Sequence, residues 1–407
     1  MAWERVKLGD IATCIQPGPF GSQLHNSDYS ESGTPIIMPK DMIDGKISHS
    51  NLIFVGEEHT KRLCRHQVHA GNLMVARKGD VRKCVFITEN EDGWMTGSDC
   101  LKVALKENVC YPRFIYYQLR SPFIGRWLEK ISIGATMPSI NTGLLSGIEL
   151  ALPPLKEQER IADILSAYDN LIENNQKQIK FLEEAAQRLY KQWFIDLRYP
   201  GHETTKIVDG LPEGWKKDRA DSFFNITIGK TPPRAEKQWF TEDGNGMPWI
   251  SISDMGTDSA FLFETSEGLT LEAIKRHNVK VVPANTVLLS FKLTVGRVSI
   301  TSTEMCTNEA IAHFVTNDDS LREYTYCYLK NFHYDELGST SSISKAINSK
   351  IVKAMPFVMP CEEMLIQFHK LMNPIFKEVF TKQKQILSLK QNRERLLPRL
   401  MSGEICP

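Results

Sequence analysis

Within "ARKGDVRKC", residues 76–84, four cationic side chains (Arg77, Lys78, Arg82 and Lys83) surround a Gly-Asp turn. Basic groups on a strand–turn–strand are well placed to bond phosphate oxygens or guanine edges of a nucleic acid. The equivalent stretch of the second half of the chain carries Lys292 and Arg297. Solvated hairpin charge is the competing reading of both. Lys40 and Asp41 in "MPKDM", with Ser253 and Asp254 in "SISDM", form a second candidate pair of contacts; turn capping by Asp is its alternative. A third candidate comprises small polar groups on a flexible loop: Thr136, Ser139 and Asn141 after Gly134, and Thr340, Lys345 and Asn348 after Gly338. Ordinary turns would use the same residues.

Motifs for catalysis are missing. In "GKT", Gly229 to Thr231, the first glycine of a phosphate-binding loop would fall at Phe224, and Pro232-Pro233 bars a helix directly afterwards. No Asn-Pro-Pro-aromatic or Asp-Pro-Pro-aromatic tetrapeptide occurs, and "NPIF" at Asn373 lacks the second proline. Cys64, His66 and His69 lack a fourth zinc ligand at suitable spacing, so no metal site is expected. The enzymatic alternative is a methyltransferase or nuclease with diverged motifs.

Lysine plus arginine equals aspartate plus glutamate at 49 each, so a nucleic-acid surface would have to be local or shared with a partner. The 407 residues suffice for two to four domains, and 42% hydrophobic with 24% charged residues is a globular mix. Nine scattered cysteines without C-x-x-C, no signal-peptide pattern and no apolar run of membrane length predict a soluble cytoplasmic protein, with no membrane partner.

The elements that must position these residues occur twice. Pro35 and Asp41 recur as Pro248 and Asp254, 213 residues on. "GNLMVARKGDVRKCVFIT" meets "ANTVLLSFKLTVGRVSIT" at the same offset, which drifts to 210 at "FIYYQLRS"/"YTYCYLKN" and to 207 at Asn141/Asn348 and Pro153/Pro360. A slowly drifting offset is what loop insertions and deletions leave in a duplicated unit. Each unit opens with short apolar runs broken by turn residues, including "PIIMP", "NLMVAR", "KCVFIT" and "CLKVAL", then "PWISI", "TVLLSF", "RVSIT" and "AIAHFV". These predict short strands in a mixed or antiparallel sheet. "RFIYYQLRSPFIGRWLEK" is predicted helical.

Each unit closes with a long helix. After Pro153-Pro154, a heptad seam is predicted at Ile161, Ile164, Tyr168, Leu171, Asn175, Ile179, Leu182, Ala186, Leu189 and Trp193. Shifted by 207, it returns at Phe368, Leu371, Ile375, Glu378 with Val379, Lys382, Ile386, Leu389, Arg393, Leu396 and Leu400, with Pro374 expected to bend the first turns. Thirty-three residues of helix span about 50 Å. Antiparallel pairing of the two helices would put similar β-rich domains at opposite ends about a pseudo-twofold axis, with Asn175 fixing register. The spacing suits a split DNA target of about fifteen base pairs. On the second helix, Lys377, Lys382, Lys384, Lys390, Arg393, Arg395 and Arg399 either run beside DNA or form an exposed helical face.

The chain resembles the specificity (S) subunits of type I restriction–modification enzymes over nearly all its length. The resemblance rests on "LPPLKEQERIADIL" with the helix through "QRLYKQWF", on "RLLPRLMSGEI", and on the "GTPII...DM" and Gly-x-Thr...Ile-Asn segments. It implies an α+β architecture: target-recognition domains at 1–151 and 213–359, helical spacers at 152–198 and 360–407, and a linker at 199–212. It implies a non-catalytic subunit that reads a bipartite asymmetric site in double-stranded DNA. The antiparallel spacer would dock two methyltransferase (M) subunits and, through them, restriction (R) subunits. No cofactor is implied in this chain: S-adenosylmethionine belongs to the M subunit, ATP and Mg to the R subunit. The second copy departs from the pattern, with "MPCEEMLIQF" in place of "LPPLKEQERI".

Overall fold

A computed structural model describes residues 3–134, 136–242, 244–256, 259–337 and 347–405. Thr340 and Lys345 lie outside the described residues. The chain forms two compact units, Met1–Leu171 with Leu389–Pro407, and Ile172–Ser388. Each therefore contains a β-rich portion and stretches of both long helices.

In the first unit, one sheet has the order Met95–Thr96, Thr34–Ile37, Ile53–Val55, Tyr29–Ser30, with the first pair parallel. A second, antiparallel sheet runs Ala12–Pro17, Cys100–Leu105, Leu73–Ala76, Cys84–Phe86. Glu4–Lys7 pairs with Glu149–Leu152. The second unit repeats this order: Cys306–Thr307 lies parallel to Met247–Ile250, followed by Glu267–Leu269 and Phe240–Thr241. Its second sheet is Asn225–Ile228, Ile311–Val315, Val287–Ser290, Val298–Thr301, extended by Phe261–Leu262. Lys216–Arg219 pairs with Pro356–Met359. The duplication seen in the residues thus recurs in strand order. All eight predicted strands form. The stretch "RFIYYQLRSPFIGRWLEK" is helical as expected, in two pieces, Pro112–Leu119 and Pro122–Ile131. Pro122 disfavours helical geometry at Ser121, whose Oγ caps the second helix at Ile124 N.

The long helices are Leu155–Tyr190, which ends in a π-turn at Lys191–Ile195, and Glu362–Met401. The second runs unbroken through Pro374. In the second unit the two are antiparallel: Asn175 Nδ2 donates to Gln385 Oε1 at 3.4 Å, and the Tyr190 and Phe368 rings lie 6.5 Å apart. In the first unit Asp169 pairs with Arg393, and Ile161 and Leu165 share a core with Leu396 and Leu400.

The seam needs one correction. Leu165, Ile172, Ile179, Ala186 and Trp193 form one buried row, each seven residues apart, and Ile161 is buried as expected. Tyr168, Leu182 and Leu189 fill the alternate positions half-buried, and Asn175 is buried. Leu171 is 52% exposed and Ile164 only half-buried. "IL" and "LI" place two apolar residues side by side, and a step of seven selects the second of each pair. Likewise Met372 is buried and Leu371 exposed. Val379 is buried, with Ile375, Ile386, Leu389 and Leu396 half-buried. Each fully buried aliphatic side chain contributes about 1.5–3 kcal/mol.

Different clamps fasten the helices to their sheets. Gln158, from "LKEQER", is buried; its Oε1 accepts from Tyr111 N (2.8 Å) and its Nε2 donates to Pro153 O (2.8 Å). Tyr117 Oη donates to Asp169 Oδ2 at 2.6 Å. Position 365, equivalent to 158, is a buried leucine, and the second unit uses Glu323, Arg322 and His369 instead. The departure from the first copy's pattern is a change of clamp.

Candidate nucleic-acid interface

The predicted contacts divide into groups that build the frame and groups that face outward. Asp41 is buried and its Oδ2 accepts from Met38 N at 2.8 Å; burial raises its pKa above the usual carboxylate value. Asp254 makes the matching bond to Ser251 N, also 2.8 Å, 213 residues on. Both aspartates cap their own turns, the alternative reading of these motifs. Within each turn the bond occupies Oδ2 of the aspartate, the capping use that the motif's spacing allows. The hairpin bases brace the same turns. Lys83 Nζ donates to Pro39 O (2.9 Å) and Arg297 Nη1 to Ile252 O (2.6 Å), which are equivalent carbonyls. Asn141 caps helix Thr142–Ser146 through Leu144 N (2.8 Å), and Asn348 caps Ser349–Lys353 through Lys350 N and Ile351 N. Each of these asparagines uses its side-chain carbonyl to close a helix, which leaves its Nδ2 donors uncommitted by the cap. Asn141→Ala is expected to lower the first unit's stability by about 1 kcal/mol while Asn141→Asp retains most of it, read from denaturation midpoints.

Arg77, Lys78, Arg82, Lys40, Thr136, Ser253 and Lys292 face solvent wholly or in part. The basic hairpin and residues 138–140 form one surface: Gly79 N donates to Pro138 O (3.0 Å) and Ile140 N to Arg77 O (2.9 Å). Ser139 is tied inward, its Oγ donating to Ile133 O at 3.1 Å. Much of the charge is already matched. Arg82 pairs with Asp80 (2.9 Å) and Glu129 (3.3 Å), Lys78 with Asp99 (2.9 Å), and Lys40 Nζ bonds Asn51 O. Arg77 stands apart: no carboxylate lies within ion-pair distance among the described residues, and its guanidinium sits 5.7 Å from the ring of exposed Phe20. Ser251 and Ser253 hydroxyls lie 2.6 Å apart. The basic run of the second helix is also matched in part, Lys382 to Glu378, Lys390 to Asp44 and Arg399 to Glu404.

Sequence reasoning missed Arg120. It borders a cleft of about 230 Å³ with Asp44, Asp80, Arg82 and Lys83, and bonds Tyr116 Oη at 2.6 Å. The signal was available: Arg120 lies over Tyr116 as Lys330 lies over Tyr326, 210 residues on. Phe20 was missed as well; it follows the Pro17-Gly18-Pro19 turn that opens the first copy.

The other motifs take ordinary roles. Gly229 of "GKT" sits where a Cβ would lie 2.0 Å from Thr307 Oγ1, and Gly18 in the first unit is as close to Gly97 O at 2.1 Å. Close packing, not phosphate, requires these glycines. His66 bonds Pro17 O (3.0 Å) and His69 faces Asp92 (3.3 Å). Among the described residues no cluster of three His, Cys, Asp or Glu is placed to hold a metal, and no helix is long and apolar enough to cross a membrane.

Comparison with known proteins agrees with this duplicated frame. The chain is 28% identical over 99% of its length, and 93% of the relative's, to the type I restriction enzyme MjaIX specificity subunit of Methanocaldococcus jannaschii. It is 24% identical to the HindI specificity subunit of Haemophilus influenzae, covering 99% of both. Its fold is similar to the crystal structure of a type-I restriction-modification system S subunit from M. genitalium, with TM-score 0.59, 15% identity, and 98% of this chain and 96% of that one covered. The family model for the type I restriction modification DNA specificity domain matches residues 2–184 and again 212–388, so the chain belongs to that family, with two copies of its domain.

Proposed function

We propose that this chain is the non-catalytic DNA-reading subunit of a type I restriction–modification complex, acting in the cytoplasm. Each β-rich unit reads one half of a bipartite, asymmetric duplex target. The long helices dock two adenine methyltransferase subunits and, through them, the restriction subunits. S-adenosylmethionine then belongs to the methyltransferase, ATP and Mg to the restriction subunit. One observation carries this reading: the same frame occurs twice with different tips. Turns 38–41 and 251–254 are braced alike, yet the hairpin reads Arg-Lys-Gly-Asp-Val-Arg in one copy and Ser-Phe-Lys-Leu-Thr-Val in the other. Equal frames with unequal tips suit two unequal half-sites, where each wrong base pair costs about 1–3 kcal/mol. Net neutrality fits a complex whose partners share the phosphate contacts.

The test is methylome mapping with the gene present and deleted. Deletion is expected to remove one gapped, asymmetric adenine-methylation motif; an unchanged methylome overturns the reading. Within the motif, Arg77→Ala is expected to lower methylation at least ten-fold through one half-site only. Arg82→Gln, whose guanidinium Asp80 and Glu129 already hold, should change it less than three-fold, about 0.6 kcal/mol on the scale where ten-fold is 1.4.

A further inference from the structure

The second unit's hairpin tip carries a feature that frame building does not explain. Leu293 is 98% exposed and has a φ of 59°. Seven non-glycine residues among those described have a clearly positive φ; five are Asp or Asn, which tolerate the left-handed region. Of the two leucines, Leu197 packs against the core and Leu293 touches solvent. A large apolar side chain is thus held outward on strained backbone, and such strain persists only where surrounding structure fixes it.

The surroundings do fix it. Ser290 is fully buried; its Oγ donates to Thr294 O (2.6 Å) and accepts from Arg297 N (3.0 Å), while its carbonyl accepts from Gly296 N (3.0 Å). The Tyr334 ring lies under Gly296, 3.1 Å from where a Cβ would be. Beside the leucine, Lys292 is exposed, and Val295 adds a second exposed apolar group. At the same offset as the repeat, the first unit has Asp80, folded back onto Arg82. One tip is therefore polar and self-satisfied, the other apolar and outward-facing.

We propose that Leu293 is a specificity-determining residue of the second domain, meeting the 5-methyl group of a thymine in the major groove while Lys292 anchors the adjoining phosphate. Apolar contact with that methyl is how a side chain without hydrogen-bonding groups distinguishes a base. The inference rests on the DNA-reading role proposed above.

The variant Leu293→Gly separates fold from recognition, because glycine adopts a φ of this sign freely. In the complex assembled with the methyltransferase subunit, its melting midpoint is expected to equal or exceed that of the parent. Its methylation of a duplex carrying the mapped motif should fall at least ten-fold, while Leu293→Met retains most activity. Duplexes in which each thymine of the second half-site in turn is replaced by uracil, which lacks the methyl, form the second arm. One such duplex should lower the parent's rate by a similar factor and leave the glycine variant no worse. Parent-like methylation by Leu293→Gly overturns the proposal, and so does a parent indifferent to every uracil. Failure of the broader reading is a different result: the parent complex would methylate no gapped motif at all.

Discussion

Glu323→Ala is expected to destabilise the second unit by about 3–5 kcal/mol, the cost of leaving a largely buried guanidinium without its anion. Glu323 is fully buried on the helix Arg322–Asn331. One carboxylate oxygen accepts from Arg322 Nε at 3.0 Å; the other lies 2.7 Å from His369 Nδ1 on the second long helix. Arg322 also donates to Asn373 Oδ1 at 3.4 Å. Truncation leaves the guanidinium, only 13% exposed, and an imidazole without their shared acceptor. Replacing all three by apolar residues of similar volume should cost far less, because the desolvation term disappears along with the attraction. The measurement is the denaturation midpoint of the single and triple variants; a single-variant loss below about 1 kcal/mol would sink the argument. The clamp ties the second recognition domain to its helix, so the single variant should also lose methylation at raised temperature before the parent does.

Much of this architecture was legible in the residues, for identifiable reasons. Runs such as "NLMVAR" and "TVLLSF" are short, apolar and bounded by turn residues, and burial on both faces leaves them little choice but a central strand. The repeat was legible because insertions move the offset without erasing it. The heptad phase was misjudged where two apolar residues stand side by side, at Ile164-Leu165 and Leu171-Ile172, because composition does not say which of the two points inward. The candidate site was harder. Asp41, Asp254, Asn141 and Asn348 have the residue types of a contact surface, and all four hydrogen-bond their own backbone turns. A cap and a base contact draw on the same side-chain groups, so residue type and local spacing do not tell them apart. Lys83 and Arg297 reach carbonyls about forty-five residues away in sequence, a tie no local pattern announces. The clamp at Glu323 was invisible for the same reason: its partner His369 lies forty-six residues further along the chain.

The second unit should also weaken on acidification through one histidine, and here the direction follows from burial alone. His313, on the strand Ile311–Val315, is fully buried between two hydroxyls, Thr227 Oγ1 at 2.8 Å from Nδ1 and Thr307 Oγ1 at 2.7 Å from Nε2. The Thr307 hydroxyl also lies 3.2 Å from Asn308 O; donating there, it accepts from Nε2–H, which leaves Nδ1 to accept from Thr227. Both ring nitrogens are satisfied in the neutral form, and a second proton would put a charge where burial excludes solvent and, among the described residues, no carboxylate pairs with the ring. Burial pushes the folded pKa down to about 4, from an ordinary value of 6.5. Above pH 6.5 neither state binds the extra proton and the contribution is complete. As pH falls from 6.5 toward 4 the unfolded chain takes up a proton that the folded chain refuses, so stability drops until the folded pKa is reached. The loss between pH 7.5 and 5 is about 2 kcal/mol. Carboxylates titrate lower, and their share is removed by comparison with His313→Gln, which cannot titrate and keeps one donor and one acceptor. The parent's midpoint should fall more steeply than the variant's by that amount over this interval; parallel curves would show that His313 titrates alike in both states.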